Sequence, residues 1–342
     1  MSGSNDEAGT PGGQYMKNKS PANQGTRSPV ATSKSAIRSN EHRVNRPVRI
    51  LLFAITTLFP GPATWSAAPL VLQSDFGVKD AAVASMKGVA VSVSPQLAIY
   101  DLTHEVPAYN IWEASLRLAQ AAEYWPKGTV FVSVVDPGVG TKRKSVVLKT
   151  KSGHFFVSPD NGSLTAVAEL LGVDAVREID EAVNRLENSE KSYTFHGRDV
   201  YAYTGARLAA DVISFTEVGR ELPAEVLSIP YQKPRFEGGR VYGNIEILDP
   251  QFGNIWTNID RETFQAMQLE PGDKVNIAIF NSDKVVLTQT LPYFPTFGRV
   301  AVGKPLLYLN SLNKVALAIN QGNYSETFNI QSGASWSIRI EK

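Results

Sequence analysis

Residues 131–140 read FVSVVDPGVG, a stretch that begins as a buried strand and ends in a rigid turn. Four of its first five residues are apolar, and valine and phenylalanine favour extended backbone. Asp136 follows at once, with a proline, two glycines and then three basic residues at 142–144. Ligands of α/β folds bind beyond the carboxyl ends of the strands. The stretch therefore predicts a core strand that carries a carboxylate to a functional site.

Strand and helix patterns alternate on both sides of this stretch. Three segments are strand-like, at 68–77, 97–106 and 129–136, and two between them, 79–93 and 110–125, carry apolar residues at helical spacing. A hairpin over 145–150 and 154–159 and a helix over 164–172 follow. This order predicts an α/β N-terminal domain over residues 69–230, with a mostly parallel sheet flanked by helices.

The sequence changes character near residue 230. A segment rich in proline and glycine, IPYQKPRFEGG at 229–239, precedes seven short strand-like segments between 240 and 340. Helical spacing is scarce in this part of the chain. We therefore predict an all-β C-terminal domain, a barrel or a sandwich, over residues 235–342.

The N-terminal region has a different composition. Residues 1–48 are rich in Ser, Asn, Gly, Pro and Lys, and predict a disordered leader. Residues 49–68 combine a basic flank, a short apolar run and small residues, which is the layout of a signal peptide. The run is too short for a stable membrane span, which needs about 20 apolar residues. The pattern favours an exported or periplasmic protein, the alternative being a cytoplasmic protein whose apolar run is a core element.

Composition excludes several classes of function. Lysine and arginine number 34 against 33 aspartates and glutamates, which gives no basic surface for nucleic acid. The chain has no cysteine, so disulfides, thiolate metal sites and cysteine nucleophiles are excluded. No Walker A loop, GxSxG elbow or HExxH motif is present. A small molecule is the expected partner.

Polar residues gather where the predicted strands end, and they allow two chemistries. Metal-assisted hydrolysis would use four hard ligands, Asp75, Asp80, Asp101 and His104. Metal-free activation of water would use Asp136, Arg143 and His196. Asp160 and Asn161 stand in a turn sequence, and a turn is the expected role for them. The residues by themselves leave both chemistries open.

Seven segments of the chain, taken in order, resemble the S-adenosyl-L-methionine (SAM) hydroxide adenosyltransferase family. They are SDFGVKDAAVASMKG (74–88), DLTHEVPAYNIWEA (101–114), YWPKGTVFVSVVDPGVGTKRK (124–144), FFVSPDNGSLT (155–165), FHGRD (195–199), DPQFGNIWTNI (249–259) and LYLNSLNKVALAINQGN (307–323). Members of this family are SAM hydrolases, and they are related to fluorinating and chlorinating enzymes. The resemblance runs from about residue 69 to the C-terminus.

The resemblance implies a role for each matching residue of the N-terminal domain. The family's water-handling triad falls on Asp136, Arg143 and His196. Its ribose-binding aspartate falls on Asp75, and Tyr109 matches an aromatic residue beside the sugar and the sulfonium. The halogenating relatives lack the triad, so water or hydroxide is the nucleophile that the resemblance implies, with adenosine and L-methionine as products.

In the C-terminal domain the resemblance implies contacts to the two ends of SAM. Asp249 matches the partner of the methionine ammonium, and Ser311 matches a contact to the amino-acid end. Asn254 matches a purine contact, and Phe297 matches an aromatic residue that packs on adenine. Leu312 departs from the pattern, because the halogenating relatives place a carboxylate-binding arginine there. A second departure is an asparagine at position 313, where glycine is common.

The family resemblance also implies the assembly. Family members are homotrimers whose sites lie between the N-terminal domain of one subunit and the C-terminal domain of the next, and they need no metal or other cofactor. Two alternatives remain open at this point: a halide-dependent adenosyl transferase, and an exported nucleoside-binding protein without turnover.

Overall fold

Two β-sheets organise the chain in the computed structural model, which describes residues 67–342. The predicted disordered leader, 1–48, lies outside the described residues, as does the predicted signal peptide, 49–68, except for its last two residues. These two sheets and the helices around them lie within residues 67–342.

The first sheet has seven strands, in the order β2-β1-β3-β5-β4-β6-β7. Four neighbours in it, β2, β1, β3 and β5, are parallel, and the remaining strands pair antiparallel, so the predicted hairpin is the β4–β5 pair. The bounds are β1 (Leu70–Ser74), β2 (Ile99–Thr103), β3 (Val130–Val134), β4 (Ser145–Thr150), β5 (Phe155–Pro159), β6 (Val173–Glu178) and β7 (Glu221–Leu222).

Helices cover both faces of this sheet, as the sequence predicts. They are α1 (Ala82–Val93), α2 (Ile111–Ala122), α3 (Thr165–Leu171) and α4 (Tyr203–Ala209), and a π-helical turn at Gly197–Ala202 leads into α4. Leu70 and Leu72 of β1 pack on the side of α1 and α4, and Val71 packs on the side of α2 and α3. Because β1 and β3 are buried on both faces, their residues are mainly apolar and do not alternate with exposed polar ones. No helix within 67–342 is long and apolar enough to span a membrane.

The second sheet is antiparallel and nearly closed into a barrel, which confirms the predicted β architecture. Its order is β12-β11-β15-β9-β10-β14-β13, with β8 beside β9, and a bridge from Tyr293 to Leu307 joins its ends. The strands are β8 (Arg235–Glu237), β9 (Arg240–Leu248), β10 (Ile255–Asp260), β11 (Lys274–Asn281), β12 (Lys284–Pro292), β13 (Pro305–Leu309), β14 (Lys314–Ile319) and β15 (Trp336–Glu341). Two short helices, α5 (Arg261–Gln265) and α6 (Tyr324–Phe328), complete this part.

A tryptophan joins the two sheets. The indole N–H of Trp112, on α2, donates to the carbonyl oxygen of Glu246 on β9 at 2.8 Å. Trp112 and Leu116 also pack on Ile247, and all three side chains are buried. A residue at the N-terminal end of α2 is thereby anchored in the barrel.

Candidate functional site

Asp136, Arg143 and His196 form one hydrogen-bonded cluster. Asp136 follows β3, Arg143 precedes β4, and His196 directly precedes the π-helical turn. The Arg143 Nε atom donates to both carboxylate oxygens of Asp136 at 3.0 Å, and its Nη2 atom donates to Oδ2 at 2.6 Å. The same Nη2 atom lies 3.1 Å from Nδ1 of His196. One guanidinium thus bridges the carboxylate and the imidazole.

Arg143 is buried and carries its charge nonetheless. Burial opposes the charge, but hydrogen bonds to Asp136 and the field of nearby groups hold the pKa of Arg143 above its ordinary value. The Nη1 atom donates to Ser145 Oγ at 3.2 Å, and that hydroxyl lies 3.1 Å from the Tyr201 hydroxyl. Burial raises the pKa of Tyr201 far above its ordinary value, so this neighbour is a neutral phenol.

A second guanidinium approaches the imidazole from its other side. The Nη2 atom of Arg185 lies 3.2 Å from Nε2 of His196 and also donates to Oε2 of Glu181 at 2.6 Å. The pKa of His196 lies below its ordinary value, first because the ring is buried and also because Arg143 and Arg185 are positive, whereas Glu181 acts in the opposite direction. Arg185 could not be identified as a site residue from the sequence, since no spacing within its loop marks it.

The cluster borders a cavity of about 220 Å³ that also receives Asp75. Asp75 follows β1, and its Oδ2 atom accepts the backbone N–H of Tyr109 at 2.9 Å. Tyr109 has a φ of 65°, and its side chain is 73% exposed. The cavity is lined by Asp75, Phe76, Ala108, Tyr109, Val134, Asp136, Val139, Thr194, His196 and Gly197. Four residues that the sequence analysis named as site residues therefore face the same space.

Because Gly197 has no side chain, the backbone next to His196 can pack closely against Phe76, the residue after Asp75. A Cβ atom at this position would lie 3.0 Å from two ring carbons of Phe76 and 3.3 Å from a methyl group of Val134. The ring of Phe76 also packs edge-on against Phe195, with centroids 5.7 Å apart. Hydrocarbon contacts on both sides of His196 therefore hold the π-helical turn against the residue that follows Asp75.

The polar residues in and just after β2 bond to one another and to neighbouring elements. His104 is buried, with Nδ1 at 2.6 Å from Ser74 Oγ and Nε2 at 3.1 Å from Asp101 Oδ1. Lys87 donates to Asp101 Oδ2 at 2.6 Å. Asp80 instead accepts the backbone N–H of Ala82 where α1 begins. Within residues 67–342, no group of three or more acidic or histidine side chains is placed to hold a metal ion, so the four ligands of the metal alternative do not converge.

Asp160 and Asn161 form the turn that the sequence predicts. Asn161 accepts the backbone N–H of Ser163 at 3.1 Å, and its Nδ2 donates to the carbonyl oxygen of Val135 at 2.9 Å. Asp160 accepts the backbone N–H of Leu227 at 2.8 Å. Because Val135 directly precedes Asp136, this turn fixes the backbone that presents the carboxylate.

The predicted site residues of the C-terminal domain do not line the cavity of Asp75. Asn254 and Phe297 line a cavity of about 530 Å³, and Nδ2 of Asn254 donates to Asp249 Oδ2 at 3.4 Å. Ser311 borders a third cavity, of about 520 Å³. In the described part of the chain, no residue lines two of these three cavities. A single chain thus separates Asn254 and Phe297 from Asp75 and the cluster.

The loop of Ser311 contains both departures from the family pattern, Leu312 and Asn313, and its contacts accommodate them. Asn313 has a φ of 57°, in the left-handed region that asparagine tolerates better than most residues. Arg261 donates to the Asn313 side-chain oxygen from Nη2 at 2.8 Å. The backbone N–H of Leu312 donates to the side chain of Asn310. Asparagine therefore supports here a conformation that glycine also adopts.

Comparisons with known proteins identify the same family for both parts of the chain. Residues 70–219 match the SAM hydroxide adenosyltransferase N-terminal domain, and 243–337 match the corresponding C-terminal domain. The chain is 39% identical over 197 residues to the (R)-S-adenosyl-L-methionine hydrolase of Methanocaldococcus jannaschii, covering 56% of this chain and 67% of that protein. It is 28% identical over 295 residues to the fluorinase of Actinoplanes sp., covering 79% and 96%. A crystal structure of an uncharacterized conserved protein from Thermotoga maritima matches with a TM-score of 0.71 and 34% identity, covering 80% of this chain and 100% of that one.

Proposed function

The chain belongs to the SAM hydroxide adenosyltransferase family, and from this premise we propose that it hydrolyses SAM to adenosine and L-methionine. The observation that supports this reaction most is the Asp136–Arg143–His196 cluster, which borders the same cavity as Asp75. The relatives named as SAM hydrolases agree with it, and those named as fluorinases define the competing reaction.

The proposed chemistry is a displacement at the 5′-carbon of SAM. The water oxygen forms a bond to C5′ while the C5′–S bond breaks, and the bonding pair goes to sulfur. The sulfonium becomes the neutral thioether of methionine, so the leaving group needs no proton. Holding the water in line behind C5′ supplies the main catalytic effect, because orientation alone can contribute roughly 7–11 kcal/mol.

Each member of the cluster has a distinct part in handling the water. Asp136 lines the cavity, and its Oδ1 atom accepts a single N–H from Arg143, so it has lone pairs left for the water. Arg143 can only donate, and it holds Asp136 and His196 in place. The proton that the water releases passes to the Asp136 carboxylate, because both ring nitrogens of His196 already lie against guanidinium N–H groups.

Asp75 is the proposed ribose ligand. Its Oδ2 atom is already held by the backbone N–H of Tyr109, which fixes the plane of the carboxylate. The remaining lone pairs accept hydrogen bonds from the 2′- and 3′-hydroxyls of the sugar. The exposed ring of Tyr109 lies at the cavity mouth, where it covers the sugar and the sulfonium.

A complete site is proposed to need a second copy of the chain. Asn254 and Phe297 line a cavity separate from that of Asp75, and Phe252 beside them is 62% exposed. In a homotrimer, the neighbour's surface would bring Asn254 and Phe297 to the adenine, and Asp249 and Ser311 to the methionine end. The proposed reaction uses no metal or other cofactor, because neither the displacement nor the proton transfer needs one.

An isotope experiment tests the function directly. The purified protein is incubated with SAM in oxygen-18 water, and the products are separated and weighed by mass spectrometry. We expect adenosine labelled at its 5′-hydroxyl, with loss of product in Asp136→Asn and His196→Ala and normal product in Asp174→Asn, an exposed partner of Lys149. Formation of 5′-halo-adenosine with added fluoride or chloride would instead establish halide transfer. Binding of adenosine without any turnover would identify a nucleoside-binding protein.

A further inference from the structure

The imidazole of His196 lies between two guanidiniums, each of which is tied to a carboxylate. Arg143 Nη2 donates to Asp136 at 2.6 Å and lies 3.1 Å from Nδ1. Arg185 Nη2 donates to Glu181 at 2.6 Å and lies 3.2 Å from Nε2. The order along this chain of contacts is carboxylate, guanidinium, imidazole, guanidinium, carboxylate.

This arrangement restricts the protonation of the ring. An arginine N–H can only donate, and a neutral imidazole offers one acceptor nitrogen and one N–H. A protonated imidazole offers no acceptor, and it would face two cations at hydrogen-bond distance. The ring is also buried, with 6% of its surface exposed, so water cannot screen that repulsion. The arrangement therefore favours the neutral ring.

Arg185 is held firmly enough to exert this effect. Its Nη1 atom donates to the carbonyl oxygens of Ser189 and Ser192 at 3.3 and 3.2 Å, while Nη2 binds Glu181. The side chain is 11% exposed. Three anchors from its own loop therefore fix the guanidinium before it meets the ring.

We propose that Arg185 is a positioning residue that holds the imidazole of His196 in place and unprotonated at the cavity. The inference rests on the proposed function, in which a neutral His196 takes part in handling the water. Glu181 has the opposite electrostatic effect on the ring, and it keeps Arg185 within reach.

Charged groups reach His196 from three segments. Asp136 and Arg143 lie on the connection between β3 and β4, and Glu181 and Arg185 lie on the loop after β6. The segment of His196 itself carries Arg198 and Asp199, which pair with each other at 2.7 Å. The nearby phenol of Tyr201 is neutral, since burial raises its pKa. Removal of Arg185 thus leaves Arg143 as the one cation that contacts the ring within residues 67–342.

The test is a titration of His196 by NMR in the absence of substrate, with its signal assigned by its loss in His196→Gln. In the unsubstituted protein, His196 should titrate below the ordinary pKa of about 6.5. We expect Arg185→Met to raise the pKa of His196 by about one unit, because a like charge in contact is removed. Arg185→Lys should restore most of the original value. Glu181→Gln should move the pKa in the opposite direction, downward.

Arg117→Met is the matched control. Arg117 pairs with Glu113 four residues earlier, as Arg185 pairs with Glu181, and it is similarly buried. This variant should leave the His196 titration unchanged. If Arg185→Met fails to fold, Arg185→Gln, which removes the charge but keeps N–H donors, decides instead.

Two results would overturn the inference. One is an unchanged pKa of His196 in a folded Arg185→Met protein, and the other is a shift in the same direction for Arg185→Met and Glu181→Gln. The titration needs no turnover, so a failure to hydrolyse SAM would refute the proposed function and leave this measurement intact. Conversely, oxygen-18 adenosine together with an unchanged titration would refute the role of Arg185 alone.

Discussion

The backbone N–H of Tyr109 donates a 2.9 Å hydrogen bond to the Asp75 carboxylate, across 34 positions of the chain. Asp75 lies at the end of β1 and Tyr109 lies two residues before α2. The contact ties the loop that carries the exposed tyrosine ring to the loop that carries the acid. The two proposed sugar contacts are therefore positioned by one bond before any ligand arrives.

Loss of the Asp75 carboxylate should weaken nucleoside binding. Hydrogen bonds to a charged group contribute about 1.5–3 kcal/mol, so Asp75→Ala should weaken adenosine binding roughly 10- to 100-fold. Isothermal titration calorimetry measures the change. Asp80→Ala is the control, because Asp80 caps α1 outside the cavity and should leave adenosine affinity unaltered. Equal affinity in the two variants would remove Asp75 from the sugar site.

Breaking the pair of Asp136 and Arg143 should affect rate and stability together. The two side chains are 5% and 10% exposed, so Asp136→Asn leaves a buried cation without its partner. We expect the free energy of unfolding to fall by about 3 kcal/mol, and kcat to fall by about 10²- to 10⁴-fold. Urea unfolding and single-turnover assays measure the two effects. Asp174→Asn, at an exposed ion pair, should change the stability by less than about 1 kcal/mol.

The depressed pKa of His196 predicts how stability depends on pH. Burial and two neighbouring cations lower this pKa in the folded protein, whereas the unfolded chain has the ordinary value of about 6.5. As the pH falls below about 6.5, the unfolded state takes up a proton that the folded state does not, so stability decreases down to the folded pKa. His196→Gln should lose less stability than the unsubstituted protein between pH 7 and 5, measured by urea unfolding at one protein concentration. Plots of stability against pH for the two proteins should be parallel above pH 7. If they were parallel below pH 7 as well, the assignment of this pH dependence to His196 would be contradicted.

Mixing two defective chains should restore activity. Asp75→Ala removes a residue of one cavity and Asn254→Ala removes a residue of another. If neighbouring subunits share each site, co-expression of the two variants creates some sites in which both residues are intact. We expect the mixture to hydrolyse SAM faster than either variant alone, and light scattering to give the mass of three chains. A mixture no more active than the mean of the two variants would count against shared sites.

The left-handed residue in the loop of Ser311 predicts a stability difference. Asn313 has a φ of 57°, a conformation that costs a residue with a Cβ atom about 1–2 kcal/mol. Asn313→Ala should therefore be less stable than Asn313→Gly by about 1 kcal/mol, although both lose the hydrogen bond from Arg261. Thermal and urea unfolding of the two variants measure this difference in stability. An alanine variant as stable as the glycine variant would show that the loop relaxes to another conformation.

The first sheet could be predicted because local pattern and tertiary environment agree there. Mainly apolar segments became β1 and β3, which are buried on both faces. In α1, the apolar residues at helical spacing, Val83, Met86, Val89 and Ala90, are all buried. The strands of the barrel could also be predicted from the sequence, because they are short, regular and separated by turns.

The helix after His196 could not be predicted in this way. Residues 197–202 form a π-helical turn that leads into α4, and their sequence carries a polar Gly-Arg-Asp segment rather than an apolar stripe. The turn is stabilised by packing under the sheet, where Val200 and Tyr201 are fully buried. Tertiary burial, which local spacing does not encode, determines this element.

The rest of the site depends on contacts between residues that are far apart in the chain, and local sequence does not reveal such contacts. Asp136 and Arg143 are seven positions apart and belong to one turn, whereas His196 is 53 positions from Arg143. The residue types suggested His196 as their partner, and the family resemblance supported that grouping, but no local spacing showed the contact. Arg185 has no such motif, and its contact with the ring depends on how the loop after β6 folds back. Physical proximity revealed it, since neither periodicity nor composition could.

The missing side chain at Gly197 also determines how robust the cavity is. The backbone of this residue rests on the ring of Phe76, so the spacing between the acid of one loop and the imidazole of the other is set by hydrocarbon surfaces in contact. Such a contact carries no charge and is insensitive to acidity and ionic strength. This contact therefore does not change when the charges around it titrate, whereas a methyl group at position 197 would require the ring of Phe76 to shift.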